Sequence, residues 1–207
     1  MREFPYEFEA RKPILFYPEP VERIAGDFLE IGPGRGDFIM ALAEQYPDKR
    51  VVGIELARKR YYKLIPRIEK RGITNITLLR AAAQIAIPRH CVAESFERIY
   101  VLFPDPWPKD RHAPHRLLNA DFLTLLAGLL KDDGYFFFAT DYRPYAEWVV
   151  ENLNEVPLMA KLGNPFTIQA DIADYFPSFF EQKWREEGRE ILYVRCRRVR
   201  PDEPSSR

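Results

Sequence analysis

Strand-like and helix-like segments alternate through most of this chain, and no other feature limits its fold so strongly. Residues 27–31, Asp-Phe-Leu-Glu-Ile, form a short apolar run that stops at Gly32. A helical stretch follows, with Phe38, Ile39, Leu42 and Ala43 on one face. Residues 50–55 read as a second strand, whose β-branched pairs suit burial on both sides. Residues 57–71 are helical in period except at Pro66, where a kink or a new turn is expected. Further strands are expected at 75–79, 98–103 and 135–139. Helices are expected at 117–130, closed by Lys131-Asp132-Asp133-Gly134, and at 141–154, with Pro144 in the first turn. Such alternation predicts an α/β protein with a mostly parallel sheet and helices on both faces. After Pro157 a strand at 166–169, a helix at 179–187 and a strand at 190–197 are expected to finish the sheet with an antiparallel edge. The first ten residues and the tail 201–207 are expected to be mobile.

The length of 207 residues fits one domain spanning 1–207, with an extension over about 1–25 and a distinct C-terminal segment over about 157–200. No apolar run approaches the roughly 20 residues of a membrane span, and the N-terminus lacks a signal-peptide pattern. Cys91 and Cys196 stand far apart, which reads as reduced thiols in a cytoplasmic protein. His90, His112 and His115 lack companion acids or thiols, so no metal site is expected. With 31 basic and 31 acidic residues the formal net charge is zero, which at first counts against a nucleic-acid partner. The zero is a sum of unlike patches. Residues 58–71 hold seven basic residues and one acid, residues 183–200 seven and three, and residues 1–37 five and eight. Two basic stretches of that kind are what contacts to phosphates require.

Glu30-Ile31-Gly32-Pro33-Gly34-Arg35-Gly36-Asp37 lies between the first strand and the first helix. Glycine permits positive φ and lets a ligand approach the backbone. In open α/β sheets ligands bind beyond the carboxyl ends of the strands. Alone, the segment reads equally as a plain tight turn. Its Gly-x-Gly-x-Gly spacing differs from the Gly-x-Gly-x-x-Gly of dinucleotide enzymes and fits S-adenosylmethionine (SAM) better. Glu55 ends the second strand, where an acid can accept both ribose hydroxyls, and Glu30 can take an ammonium group. SAM is the cofactor these residues predict, with Gly32, Gly34 and Gly36 facing it.

The fourth strand runs into Phe103-Pro104-Asp105-Pro106-Trp107-Pro108-Lys109-Asp110-Arg111-His112. Prolines stiffen the loop and aromatics bracket its one early carboxylate, an arrangement fit to hold a flat polar ring. Together with Gly53-Ile54-Glu55, Arg116-Leu117 and Thr140-Asp141-Tyr142, these motifs resemble the bacterial tRNA (guanine-N7-)-methyltransferases, the TrmB family, over roughly residues 28–193. The resemblance implies a Rossmann-like SAM-dependent methyltransferase fold with a seven-stranded sheet, tRNA as partner, and methyl transfer to guanine N7 in the tRNA variable loop. It implies that Glu30 and Glu55 bind the cofactor and that Asp105 serves catalysis, within reach of both cofactor and substrate. Lys109 and Asp141 match positions that contact substrate. Ser178-Phe179-Phe180-Glu181 is a variant of the family's Thr-x-Tyr-Glu motif and makes Ser178 and Glu181 substrate-binding residues.

The chain departs from the pattern in three places. Ala82, before Ala83, occupies the position where the family usually has an acid for the adenine; backbone contact at Ala82 and Ala83 remains, with weaker cofactor affinity expected. Asp110, Ala113, Pro114 and His115 make the loop after Lys109 less basic, and the N-terminal region is short. Guanine N7 carries a free lone pair, so no base is needed. Asp105 can accept hydrogen bonds from guanine N1–H and its exocyclic amine, which adenine cannot offer in that arrangement. Trp107, Phe179 and Phe180 are candidates for stacking on displaced bases, or else core aromatics. The alternatives are a methyltransferase of another nucleic acid or a protein, and a tRNA-binding protein without catalysis. Monomer and homodimer are equally open.

Overall fold

The computed structural model describes residues 23–109, 111, 115–162 and 175–200. The expected strand at 166–169, the expected mobile ends and His112 lie outside the described residues. The chain divides into two compact units after Val92.

In the first unit, β1 (Phe28–Ile31), β2 (Val51–Ile54) and β3 (Ile76–Leu79) are parallel, with β2 in the middle. Every residue of β1 and β2 is buried, as their unbroken apolar runs require of strands covered on both faces. Helix α1 (Asp37–Gln45) turns Phe38, Ile39, Leu42 and Ala43 inward, together with Met40. Gly53 is the close approach in this packing: a Cβ there would lie 2.7 Å from both Ile39 Cδ1 and Leu78 Cδ2. Helix α2 (Arg58–Lys70) buries Tyr61, Leu64 and Ile68 and leaves its other faces polar. It runs through Pro66 without ending. A proline removes one backbone donor, and Leu64 and Ile68 pack on either side of it. A further helix, α3 (Ala83–His90), was not expected from the sequence; it is short and carries Pro88 near its end.

In the second unit, β4 (Phe96–Leu102) and β5 (Leu130–Thr140) are parallel. Helix α4 (Ala120–Leu129) leads directly into β5, so the expected closing turn at 131–134 is instead the irregular start of that strand, where the register shifts between Phe96 and Arg98. Gly134 is needed there, since a Cβ would meet the Lys131 carbonyl oxygen at 2.8 Å. Helix α5 (Arg143–Leu153) has Pro144 in its first turn as expected. After α6 (Phe179–Glu186), β7 (Leu192–Arg198) pairs antiparallel to β5, and the unexpected short β6 (Met159–Lys161) pairs antiparallel to β7. The strand order is β3-β2-β1 within the first unit and β4-β5-β7-β6 within the second. The mostly parallel α/β fold with an antiparallel end is therefore the fold observed. Among the described residues no helix is long and apolar enough to cross a membrane.

Candidate active site

The glycine turn is built by backbone conformations that side chains oppose. Gly32, Gly34 and Gly36 have φ of 74°, 56° and 79°, and Gly36 begins α1 from the left-handed region. Gly32 N–H donates to the Ile54 carbonyl at 2.8 Å, tying the turn to the end of β2. Glu55, 3% exposed, holds it from the other side. One carboxylate oxygen accepts Gly34 N–H at 2.9 Å, and the other accepts Ala57 N–H at 2.7 Å ahead of α2. Glu55 is thus fixed before any ligand arrives, and each oxygen keeps a second lone pair for a hydroxyl donor. Arg67 completes the brace: it donates to the Arg35 carbonyl and, at 2.8 Å, to Asp37 in the first turn of α1. This role of Arg67 had no signal in the sequence.

Glu30 lies beside the turn, also 3% exposed. Its Oε2 is buried without a hydrogen-bond partner among the described residues. Burial first, then the nearby carboxylates of Glu55 and Asp37, push its carboxyl up to about 8, against a weaker opposing hydrogen bond from Ile39 N–H. A buried acid with one oxygen unpartnered, repelled by two others, is prepared for a cation, and the ammonium of SAM supplies one. The residues present therefore fit the cofactor. Ala82 is the residue before α3 and makes no side-chain cap; its carbonyl accepts Ile85 N–H and Ala86 N–H at 3.0 and 2.9 Å. Ala82 is half-buried and Ala83 buried, so contact there falls to backbone and methyl groups.

In the second unit the loop after β4 carries Asp105. Phe103 and Trp107 take φ of 51° and 44°, a region that non-glycine residues seldom occupy. Trp107 N–H donates to Asp105 Oδ1 at 3.2 Å, and Asp105 is exposed. Arg116 anchors the loop from beneath. It is 7% exposed, donates from Nε to the Pro106 carbonyl at 3.1 Å, and its guanidinium lies 5.5 and 5.4 Å from the ring centres of Tyr145 and Trp148. Tyr142 donates its hydroxyl to the Pro108 carbonyl at 3.2 Å. Lys109 is exposed. Trp107 is half-buried, its ring 5.3 Å from that of His115.

The remaining expected substrate residues are engaged with the protein itself. Asp141 accepts a 2.7 Å bond from Arg189, whose guanidinium stacks 3.8 Å above Trp184. Ser178 caps α6 by accepting Glu181 N–H at 3.2 Å. Glu181 is fully buried; it accepts from Tyr193, Tyr175 and, at 2.9 Å, Arg185. Burial and the Glu181 charge hold both tyrosine hydroxyls well above their ordinary range, so they stay donors. Phe179 is exposed and Phe180 stacks toward Trp184. Among the described residues no group of acids, thiols and imidazoles could hold a metal ion.

A family profile, Methyltransf_4, described as "Putative methyltransferase", matches residues 25–194. The chain is 36% identical over 178 residues to a tRNA (guanine-N(7)-)-methyltransferase of Nitrosomonas eutropha, covering 84% of this chain and 78% of that protein. It is 37% identical to the protein of that name from Nitrosomonas europaea, covering 86% and 82%. Among solved structures, the 16S rRNA methyltransferase KamB superposes with a TM-score of 0.61 at 17% identity, covering 87% of this chain and 89% of that one. TrmN from Thermus thermophilus superposes equally, with a TM-score of 0.61 at 20% identity, covering 86% and 45%. These likenesses carry the fold, while the sequence relatives carry the family. With a buried acid pair around a glycine turn and an anchored Pro-Asp-Pro-Trp loop, the chain belongs to the tRNA (guanine-N(7)-)-methyltransferase family.

Proposed function

We propose that this protein is a cytoplasmic SAM-dependent tRNA methyltransferase that methylates guanine N7 in the variable loop. The observation that carries the reading is the buried, unpartnered oxygen of Glu30 beside a prefixed Glu55, a pair suited to one ammonium and one ribose. When bound, the cofactor supplies a methyl group on a sulfonium, which needs no metal and no base. Glu30 holds the ammonium, Glu55 accepts the ribose hydroxyls, and Gly32, Gly34 and Gly36 leave the backbone open to approach. Ala82 and Ala83 line the adenine without a side-chain hydrogen bond, at a cost of about 0.5–1.5 kcal/mol of affinity.

Asp105 works on the other reactant. Its carboxylate accepts from guanine N1–H and the exocyclic amine, which selects guanine and orients N7. As N7 gains the methyl, positive charge develops on the purine, and a fixed carboxylate stabilises it. Arg116 and Tyr142 hold the loop so that this charge is placed before reaction begins. Lys109 lies beside the RNA, and Asp141 reaches substrate when it parts from Arg189. Ser178 and Glu181 shape the C-terminal segment from within, through the α6 cap and the two tyrosines.

The test is incubation of total tRNA with the protein and methyl-labelled SAM, followed by nucleoside analysis. Label in N7-methylguanosine supports the reading. Label in another nucleoside, or only in protein, favours a different methyltransferase. SAM binding without transfer to any RNA favours a binding protein.

A further inference from the structure

We infer that the solvent face of α2 is the docking surface for the sugar–phosphate backbone of the tRNA substrate, with Lys59, Lys63 and Lys70 as its central contacts. The inference rests on the proposed tRNA substrate. The helix sorts its cations into two sets. Arg67 and, at the C-cap, Arg71 are paired, with Asp37 at 2.8 Å and Glu44 at 3.3 Å. Lys59, Arg60, Lys63 and Lys70 are exposed, and their side chains make no hydrogen bond or ion pair among the described residues. Glu69 is the one acid within the helix.

Positions 59, 63, 66 and 70 fall on one face at helical spacing, and all are exposed. A rise of 1.5 Å per residue puts Lys63 about 6 Å along the axis from Lys59 and Lys70 about 10 Å further on. Arg58, Lys59 and Arg60 occupy the first turn, where no acid is present and where the helix dipole opposes positive charge. Stability alone would place acids there. An arrangement that costs stability on an exposed face serves a polyanion that repays it.

Position within the unit selects the polyanion. The helix begins three residues after Glu55, whose Oε1 accepts Ala57 N–H, so the basic first turn adjoins the acid assigned to the cofactor ribose. Between them Leu56 is 61% exposed, an apolar contact for a ribose ring.

The experiment is steady-state methylation by the intact chain carrying K59E, K63E and K70E together, with K59Q, K63Q and K70Q as a milder set. These exposed side chains contribute nothing to the core, and SAM binding by calorimetry checks that the unit is intact. For the Glu set, KM for tRNA should rise by about tenfold or more, with kcat and SAM affinity unchanged, and the dependence of log affinity on log salt should flatten by about 2–3. The Gln set should fall between. Unchanged KM and unchanged salt slope for the Glu set would overturn the inference. So would an unchanged KM with lost binding to phosphatidylglycerol vesicles, which would make the face a lipid contact. If the wild-type chain methylates no tRNA at all, the proposed function fails instead, and that result is visible before any variant is made.

Discussion

The two loops that follow β1 and β4 solve one problem by opposite means. Each follows the carboxyl end of a strand, where open α/β sheets present groups to ligands. The first does so with three glycines in the left-handed region, where the backbone is relaxed, and is braced by the Ile54 carbonyl, Glu55 and Arg67. The second forces Phe103 and Trp107 into that region, at about 1–2 kcal/mol each, and holds them with Arg116 and Tyr142 from outside the loop. The glycine loop is therefore defined by what it lacks, and the aspartate loop by what grips it. The first should fail when atoms are added, the second when partners are removed.

The largest effect is expected at Asp105. Asp105→Ala should lower kcat by about 10²–10³-fold while calorimetry finds SAM affinity nearly unchanged, since the proposed partner of the carboxylate is guanine. Next comes its anchor. Arg116→Met should lower kcat by about 10–100-fold through a displaced loop, again with SAM affinity preserved; a variant of normal kcat would show that the loop holds itself.

Glu30 separates the two regions by pH. Its carboxyl titrates at about 8 in the free protein against 4.5 for the ordinary group. The folded chain thus binds a proton that the unfolded chain has lost, and this group's contribution to stability falls as pH rises from about 5 to 8. A cation bound there needs the charged form. SAM affinity should therefore rise over the same interval, with proton release seen as a buffer-dependent binding enthalpy. Glu30→Gln should flatten the pH dependence and weaken SAM roughly tenfold or more. A pH-independent wild-type affinity would remove Glu30 from the cofactor site.

The smallest effect probes added atoms. Gly36→Ala places a Cβ against Leu64 at φ 79°, whereas at Gly34 the nearest atom would be the Gly32 carbonyl oxygen at 3.7 Å. Thermal unfolding should show Gly34→Ala losing about 1 kcal/mol and Gly36→Ala losing more, from strain plus a clash with a buried leucine.

Much of this was legible in the sequence because it is local. Glycine spacing, alternating apolar runs and Pro-Asp-Pro-Trp each state their own conformation. What escaped depends on partners far along the chain or on weak periodicity. Helix α3 is eight residues long and β6 three, too short for a pattern to stand out. The start of β5 hides in Lys131-Asp132-Asp133-Gly134, which reads as a turn and is instead an irregular strand. Glu181 looked like a ligand-facing acid, yet it is enclosed by tyrosines and an arginine. Ser178-x-x-Glu181 before a helix did carry a signal of that inward role, as the pattern of a capping box. The neutral total charge hid the sorting of the α2 cations into those with and those without an acidic partner, which only packing reveals.

Methyl transfer to one guanine N7 leaves a chemical mark that can be located. N7-methylguanosine in RNA is open to borohydride reduction and aniline scission, so tRNA treated with the protein and SAM can be cleaved and sequenced at the break. One new scission is expected, within the variable loop, absent when Asp105→Ala replaces the wild-type chain. No scission, or scission elsewhere in the RNA, would contradict it.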